Sequence, residues 1–249
     1  MIETAVLFYL ASAFSLFKQQ KENLSLVSAI LLSIALIAHA LSFITMLENY
    51  QINFNFVNSS SMTLWWITIF FSFLFIKNNL KIIAIYLYLL VAILLFVFTF
   101  LPYPTKLINL DFALHIFLSI LAYSFLFLAF FESIFLSIQE RKIHNRQKTI
   151  NLPALETMEN LLFQLLNIGF ILLTVSIISG FIFLDNLFAQ HLVHKTFLSI
   201  LSWMFFALII VGHRVKGWRS QIVYKYIQLS FILLLLAYSG SKFILERLY

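Results

Sequence analysis

The chain of 249 residues has no cysteine, only five glycines and three prolines, and few charged residues. The absence of cysteine excludes disulfides, thiolate metal sites, CxxC redox pairs and thioether attachment of a cofactor. The shortage of glycine and proline, together with 18% aromatic residues, excludes collagen-like, disordered and turn-rich β classes. Charged residues make up 10% of the chain and apolar residues 62%, against roughly 25% and 45 to 50% in globular proteins. This composition is typical of a multispan membrane protein.

Eight apolar segments approach the roughly 20 residues that a helix needs to cross a bilayer. They cover residues 2–17, 25–46, 61–76, 82–101, 112–137, 158–184, 195–213 and 221–244. The first and third segments are short, which a thinned bilayer or neighbouring helices can accommodate. The connections are too short for a soluble domain. We therefore predict an all-α fold, a polytopic integral membrane helix bundle of about eight transmembrane helices that forms a single domain over residues 1–249.

The basic residues indicate the orientation of the chain. Its net charge of +6 would also suit a nucleic-acid binder, but twelve Lys and Arg residues lie in the gaps on one side and four on the other. Short loops rich in Lys and Arg stay in the cytoplasm, so both termini are predicted to face outward from the cytoplasmic (inner) membrane. Glu3 precedes the first span and Lys18 follows it, the reverse of a cleavable signal peptide. We expect no cleavage and no nucleic-acid partner.

Histidines of separate spans lie at a similar predicted depth. His39 is about 10 Å below the outer end of the second span, and His115 is about 5 Å into the fifth. His191 and His194 lie in the outer cap before the seventh span. Each buried imidazole needs partners for two nitrogens. A hydroxyl or carbonyl on the next helix would serve for each ring alone, but the shared depth favours a pair of haem ligands, in which each ring binds iron through one nitrogen and donates its other N–H.

His213 is separate from this layer, because it ends the seventh span on the inside, about 28 Å of helix from His194. It belongs either to a second, inner site or to the membrane interface as an anchor beside Arg214. Residues 47–60, "LENYQINFNFVNSS", alternate Asn and Phe and are expected to be extended, with their phenyl rings toward the bilayer.

Two helix faces carry further patterns. His115, Ser119 and Tyr123 follow at steps of four and form a polar stripe, which is either an outer shell for His115 or a hydrogen-bonded contact between helices. Gly169 and Gly180 lie eleven residues apart, about three turns, and share a face that another helix can approach closely.

Four segments of the second half have a characteristic order and spacing. They read "HIFLSILAYSFLFLAF" from His115, "LETMENLLFQLLNIGFILLTVSIISGFIF" from Leu155, "HKTFLSILSWMFFALIIVGHRVKGWRS" from His194, and "LLLLAYSGSKFILE" near the carboxyl terminus. Together they resemble the cytochrome c assembly protein family (CcsA/CcmC-like) over about residues 112–246. The segments "LIAHALSF" around His39 and "NFVNSSSMTLWW" extend a similarity to its YpjD/HemX-like subgroup of small multispan members through the first half.

The resemblance implies a haem-handling membrane protein of cytochrome c maturation or haem supply. By position, His115 matches the first of an outward-facing histidine pair in larger relatives, and His213 in "VGHRVKGW" matches their membrane histidine. The chain departs from the pattern in two places. The outer segment before Lys195 has no Trp where larger relatives carry WGxxWxWD, and "YSGSKFILE" has no His where they place their second outward ligand. His39 or His194 would then be the second ligand.

We therefore predict a haem-binding protein that holds haem b noncovalently in the outer leaflet and acts as an assembly or transfer factor. Its iron ligands are expected to be His39 and His115, with His194 as alternative ligand or propionate partner; Ser119, Tyr123 and His213 complete the predicted cofactor-binding set. Expected partners are haem, lipid and other membrane proteins of cytochrome maturation or the haem pathway.

The sequence bears differently on three other classes of function. The sequence contains no nucleophile elbow, phosphate loop or HExxH pair, so an ordinary enzyme is not indicated. A secondary transporter would more typically show inverted repeats or paired broken helices. A cofactor-free scaffold that steadies another membrane complex through Gly169 and Gly180 remains open from sequence.

Overall fold

A computed structural model describes residues 1–19, 25–48, 51–78, 80–101, 107–108, 110–146, 154–183 and 190–240. Within these ranges the chain forms eight α-helices and three short strands. The helices are α1 (Ile2–Lys18), α2 (Leu26–Ser42), α3 (Phe56–Asn78), α4 (Lys81–Phe98), α5 (Leu110–His144), α6 (Leu155–Phe183), α7 (Gln190–Lys216) and α8 (Gln221–Leu235). The strands are β1 (Leu47–Glu48), β2 (Gln51–Asn53) and β3 (Leu107–Ile108). One helix coincides with each predicted apolar span, so the all-α prediction is confirmed.

Among the described residues, six helical segments are long and apolar enough to cross a bilayer. They are Leu26–Met46, Lys81–Phe98, Phe112–His144, Leu155–Phe183, Thr196–Lys216 and Gln221–Tyr238. Helix α1 has 17 residues, about 25 Å of helix, and the first turns of α3 are rich in Asn and Ser. The multi-pass membrane fold is therefore confirmed, whereas the number of eight spans and the outward termini stay predictions.

The chain divides into two compact units, unit 1 (residues 1–113) and unit 2 (residues 114–249). In unit 1, α1 packs against α2 and α4, and α3 packs against α4. The largest fully buried side chains of unit 1 are Tyr9, Leu16, Ile67, Tyr88 and Leu95. In unit 2, α7 packs against α6 and α8. The largest fully buried side chains of unit 2 are Ile120, Leu126, Leu136, Met158, Leu162 and Phe206. The single domain over residues 1–249 stays a prediction.

Within residues 47–60, the described residues 47–48 and 51–60 include both strand and helix, whereas an extended segment is predicted from the sequence. The strands form a small antiparallel sheet in the order β1-β2-β3. Helix α3 begins at Phe56, because the Asn55 side chain accepts a hydrogen bond of 2.8 Å from the Asn58 backbone N–H and caps the first turn. Phe54 is only 3% exposed, so the expectation that the phenyl rings face the bilayer is wrong for this residue.

The helices of unit 2 end in different ways. Helix α5 has basic residues in its last turn, where cations interact favourably with the helix dipole. Helix α7 ends at Lys216 and is followed by Gly217, whose φ of +61° suits glycine and whose N–H donates to the His213 carbonyl over 3.0 Å. Helix α8 continues into a π-helical turn, Leu236–Gly240.

Candidate functional site

His39 is fully buried in unit 1, on α2. Its Nδ1 lies 3.2 Å from the Tyr9 hydroxyl of α1, and its Nε2 lies 2.9 Å from Ser61 Oγ of α3. A neutral imidazole has one N–H donor and one acceptor nitrogen, so one hydroxyl accepts from the ring and the other donates to it. The ring therefore connects three helices and has a hydrogen-bond partner at each nitrogen.

Aromatic rings pack around the same imidazole. The Tyr9 ring meets it edge-on at a centroid distance of 6.0 Å, and the Phe43 ring lies 5.3 Å away. Phe43 in turn contacts Trp65, whose Nε1–H donates to the Leu36 carbonyl over 2.9 Å. For His39 to bind iron, one of its two hydroxyl partners would have to leave the ring.

His115 is half-buried in unit 2, near the start of α5, and its Nδ1 faces α6. This nitrogen lies 3.0 Å from the Ser176 backbone carbonyl and 3.0 Å from Ser179 Oγ. A carbonyl oxygen only accepts, so Nδ1 carries the proton. The Ser179 hydroxyl donates to the same carbonyl over 2.8 Å, which leaves its oxygen to accept from Nδ1–H. The neutral ring is thereby held in the tautomer whose lone pair is on Nε2.

Ser119 extends this hydrogen-bond network between α5 and α6. Its hydroxyl donates to the His115 carbonyl over 2.9 Å, so its oxygen is the acceptor for the Ser176 hydroxyl, 2.6 Å away. Of the two roles open for Ser119 from sequence, the structure shows the hydrogen-bonded contact between helices. Ser119 bonds to the backbone of His115 and acts on the imidazole only through the position of α5 and α6.

The two glycines of α6 allow α5 to approach closely. A Cβ on Gly169 would lie 2.8 Å from Leu126 Cγ, and one on Gly180 would lie 3.1 Å from His115 Cε1. The glycines are eleven residues apart on α6, and their partners are eleven residues apart on α5, as antiparallel packing requires. The prediction that Gly169 and Gly180 share a face against another helix is confirmed.

The other predicted site residues lie elsewhere. Tyr123 contacts the Tyr238 ring at a centroid distance of 5.3 Å. His213 stacks on Phe163 at 3.4 Å, and its Nδ1–H donates to the Trp218 carbonyl over 3.1 Å. His194 belongs to α7, but its side chain lies outside the described residues.

The kind of partner expected for each ring alone, a hydroxyl or carbonyl on a neighbouring helix, is present at both imidazoles, but sequence reasoning did not identify the residues. Tyr9 and Ser61 are distant from His39 in sequence, and nothing in the local pattern points to them. Ser176 and Ser179 did carry a signal, because two serines three residues apart in an apolar helix lie on one face, and Ser179 directly precedes Gly180.

The arrangement around His115 suits a haem ligand. Metal-binding histidines usually donate their second ring N–H to a carbonyl or carboxylate, which fixes the tautomer and the ring orientation. The Ser176 carbonyl and Ser179 provide this contact for His115. The described residues include no cluster of three or more His, Asp or Glu suited to a free metal ion. The two predicted ligands belong to different units, so the pairing of His39 with His115 stays a prediction.

Comparisons with known proteins identify the family. A family model described as Cytochrome C assembly protein matches residues 27–249. "Inner membrane protein YpjD" of Escherichia coli (strain K12) is 30% identical over 132 residues, 52% of this chain and 50% of the relative. An "Uncharacterized 28.8 kDa protein in nifR3-like 5'region" of Azospirillum brasilense is 26% identical over 140 residues, 54% of this chain and 52% of the relative.

These alignments span about half the length of the curated relatives. No solved structure matches the chain. The family model, in contrast, covers most of the sequence, including His39 of α2 and His115 of α5. The chain is thus a multi-pass membrane protein, and it belongs to the cytochrome c assembly protein family.

Proposed function

We propose that this protein binds haem b noncovalently in the inner membrane and takes part in cytochrome c maturation or haem supply. The observation that carries the proposal is the tautomer of His115. Its Nδ1–H is held by the Ser176 carbonyl, so the nitrogen with the lone pair is Nε2, the atom that an iron ligand uses. Family membership supports the same role, and the inner-membrane relative supports the location.

In this proposal each residue of the network has a defined task. His115 Nε2 holds the iron, and Ser176 and Ser179 keep the proton on Nδ1. Ser119 fixes α5 against α6 and so sets the height of the imidazole. Haem is the cargo that the protein holds for assembly or transfer. Partners of the haem pathway and of cytochrome maturation belong to the same proposal.

The second axial ligand is His39 or His194. His39 would first exchange the Ser61 or Tyr9 hydroxyl for iron, which costs a hydrogen bond inside unit 1. His194 is predicted to lie in the outer cap, because the distribution of Lys and Arg places the start of this helix near the outer face. His213 would serve only a separate site at the opposite end of α7.

The test is the visible spectrum of the full chain, purified in detergent from haem-replete cells. Wild type is expected to show a Soret band, and His115→Ala to lose it. The matched control is His144→Ala, which removes an exposed imidazole at the far end of the same helix and should leave the band unchanged. A shifted band in either His39→Ala or His194→Ala would identify the second ligand.

A well-folded wild type without a Soret band would contradict the proposal and favour the scaffold or the transporter. The structure removes one argument for that alternative, because Gly169 and Gly180 face α5 within unit 2. The glycine face that could have served another complex is therefore used inside the chain. A Soret band that persists in His115→Ala would be consistent with haem binding but would refute the assignment of His115 as an iron ligand.

A further inference from the structure

The connection between α7 and α8 has a fixed backbone and carries several positive charges. Residues 214–219 read "RVKGWR", with three basic side chains in six positions. The αL conformation of Gly217 turns the chain, and the His213 imidazole bonds to the Trp218 carbonyl beyond the turn. The Trp218 ring folds back over Gly212, where a Cβ would overlap it. The basic side chains therefore project from a defined turn.

Both arginines of this turn are held against α6. Arg214 Nη2 donates to Asn167 Oδ1 over 3.1 Å, and Arg219 Nε lies 3.3 Å from Glu159 Oε1. Arg214 and Lys216 are exposed, and the Arg219 side chain is 60% exposed. Since a guanidinium has five N–H donors, each arginine keeps donors for a further acceptor. A guanidinium group that is already held by a neighbouring side chain can bind a phosphate through bidentate hydrogen bonds with little further loss of side-chain entropy.

The same end of unit 2 has an excess of positive charge. Its described basic residues are Arg141, Lys142, Arg146, Arg214, Lys216, Arg219 and Lys225, and its acidic residues are Glu140, Glu156 and Glu159. Seven positive against three negative side chains leave a formal balance of four positive charges. An anion is therefore attracted to this end of the unit.

Apolar surface borders the basic turn. Val211 and Val215 of α7 are 57% and 75% exposed, and Ile222 of α8 is 64% exposed. Val211 lies three residues before Arg214, so the two side chains are neighbours on the helix surface. The Trp218 indole is also partly exposed, as is common for Trp at a membrane interface. A ligand of this surface would combine an anionic group with apolar chains.

We propose that residues 214–219 bind the phosphate headgroup of an anionic phospholipid. Arg214, Lys216 and Arg219 contact the phosphate, and the acyl chains lie along Val211 and Val215. Basic pockets between membrane helices on the cytoplasmic side are suited to such headgroups. The apolar border distinguishes a phospholipid from free phosphate, which has no group to place there. This site is independent of haem and of His115.

The experiment measures lipid-dependent stability of the full chain in an uncharged detergent. Phosphatidylglycerol at tenfold its Kd is expected to raise Tm by about 4 °C relative to phosphatidylcholine. Lys216→Gln and Arg214→Gln should each reduce this difference by half or more, and Arg214→Lys should restore part of it. The matched control is Lys18→Gln, because Lys18 is an exposed cation of unit 1 that lies over the Phe14 ring. It should keep the full difference.

Each variant is compared with its own phosphatidylcholine baseline, so a general loss of stability does not imitate a loss of binding. Native mass spectrometry provides a second readout, as the number of phosphatidylglycerol molecules that stay bound. Equal stabilisation by the two lipids would overturn the proposal, as would an undiminished difference in Lys216→Gln combined with Arg214→Gln. An equal rise in Tm with inorganic phosphate alone would show that residues 214–219 bind anions in general, and would refute the proposal of a phospholipid site.

Discussion

Each unit of the chain holds one histidine of the predicted ligand pair, and the two rings are bound in opposite ways. His39 is fully buried between two side-chain hydroxyls, whereas His115 is half-buried and bonds to a backbone carbonyl. A hydroxyl can donate or accept, so the partners of His39 do not specify its tautomer. A carbonyl only accepts, and it specifies the tautomer of His115. The comparison separates a histidine whose tautomer is left open by its partners from one whose lone pair is fixed on Nε2.

The largest expected difference is in the stability of the two units. His39→Ala leaves the Tyr9 and Ser61 hydroxyls without their partner and opens a cavity, at a cost of about 2 to 4 kcal/mol. His115→Ala, at a half-buried site, should cost about 1 kcal/mol. The four tryptophans permit separate measurements, because Trp65 and Trp66 lie in unit 1 and the other two lie in unit 2.

With Trp203 and Trp218 replaced by Phe, fluorescence during unfolding in SDS reports unit 1 alone. The opposite pair of replacements reports unit 2. His39→Ala should shift the unfolding transition of unit 1. His115→Ala should shift that of unit 2, by a smaller amount. Equal shifts would contradict the expectation that His39 contributes more to stability than His115.

The next effect concerns the glycines of α6. Gly169→Ala should destabilise the protein by about 1 to 3 kcal/mol, because its new Cβ meets both the side chain and the backbone of Leu126. Gly180→Ala meets only the edge of the His115 ring, which can turn. We therefore expect Gly180→Ala to cost less stability but to change the Soret band more than Gly169→Ala does. A larger spectral change in Gly169→Ala would contradict the assigned position of the imidazole.

Single hydroxyl deletions in unit 1 should have a smaller effect. Tyr9→Phe and Ser61→Ala each remove one partner of His39, and hydrogen bonds between membrane helices contribute about 0.6 kcal/mol on average. Chemical unfolding of the two variants and of their combination measures the coupling through the ring. Strict additivity would indicate that the imidazole does not link the two hydroxyls.

The smallest effect is expected for Ser179→Ala. The His115 Nδ1–H keeps the Ser176 carbonyl, which no side-chain substitution can remove. We expect a loss of less than about 0.6 kcal/mol and an unchanged Soret band. Loss of the band in this variant would show that the hydroxyl, and not the backbone, orients the ring.

Much of the fold could be predicted because membrane helices are encoded locally. A run of apolar residues specifies a span without reference to the rest of the chain, and every predicted segment coincides with a helix. The start of α3 was missed because one capping side chain, Asn55, converts a polar stretch into a helical turn. The alternation of Asn and Phe around Phe54 is compatible with both conformations.

The contacts of the site depend on distant parts of the chain, which the sequence pattern does not specify. The depth of His39 follows from counting residues, but the rotation of α2 about its axis decides whether the ring meets Tyr9, iron or lipid. That rotation is set by packing against α1. The spacing of Gly169 and Gly180 was more informative, because two glycines separated by whole turns define a direction. It predicted a close helix contact, although not the identity of His115 as a neighbour.

The matched spacing on α5 and α6 also constrains how this protein can change during evolution. One residue inserted between Gly169 and Gly180 would rotate the remainder of α6 by about 100°. Ser176 and Ser179 would then turn away from His115, although the mean hydropathy of the helix would hardly change. Insertions and deletions should therefore be absent from this interval in functional homologues, even where the surrounding apolar residues have exchanged freely.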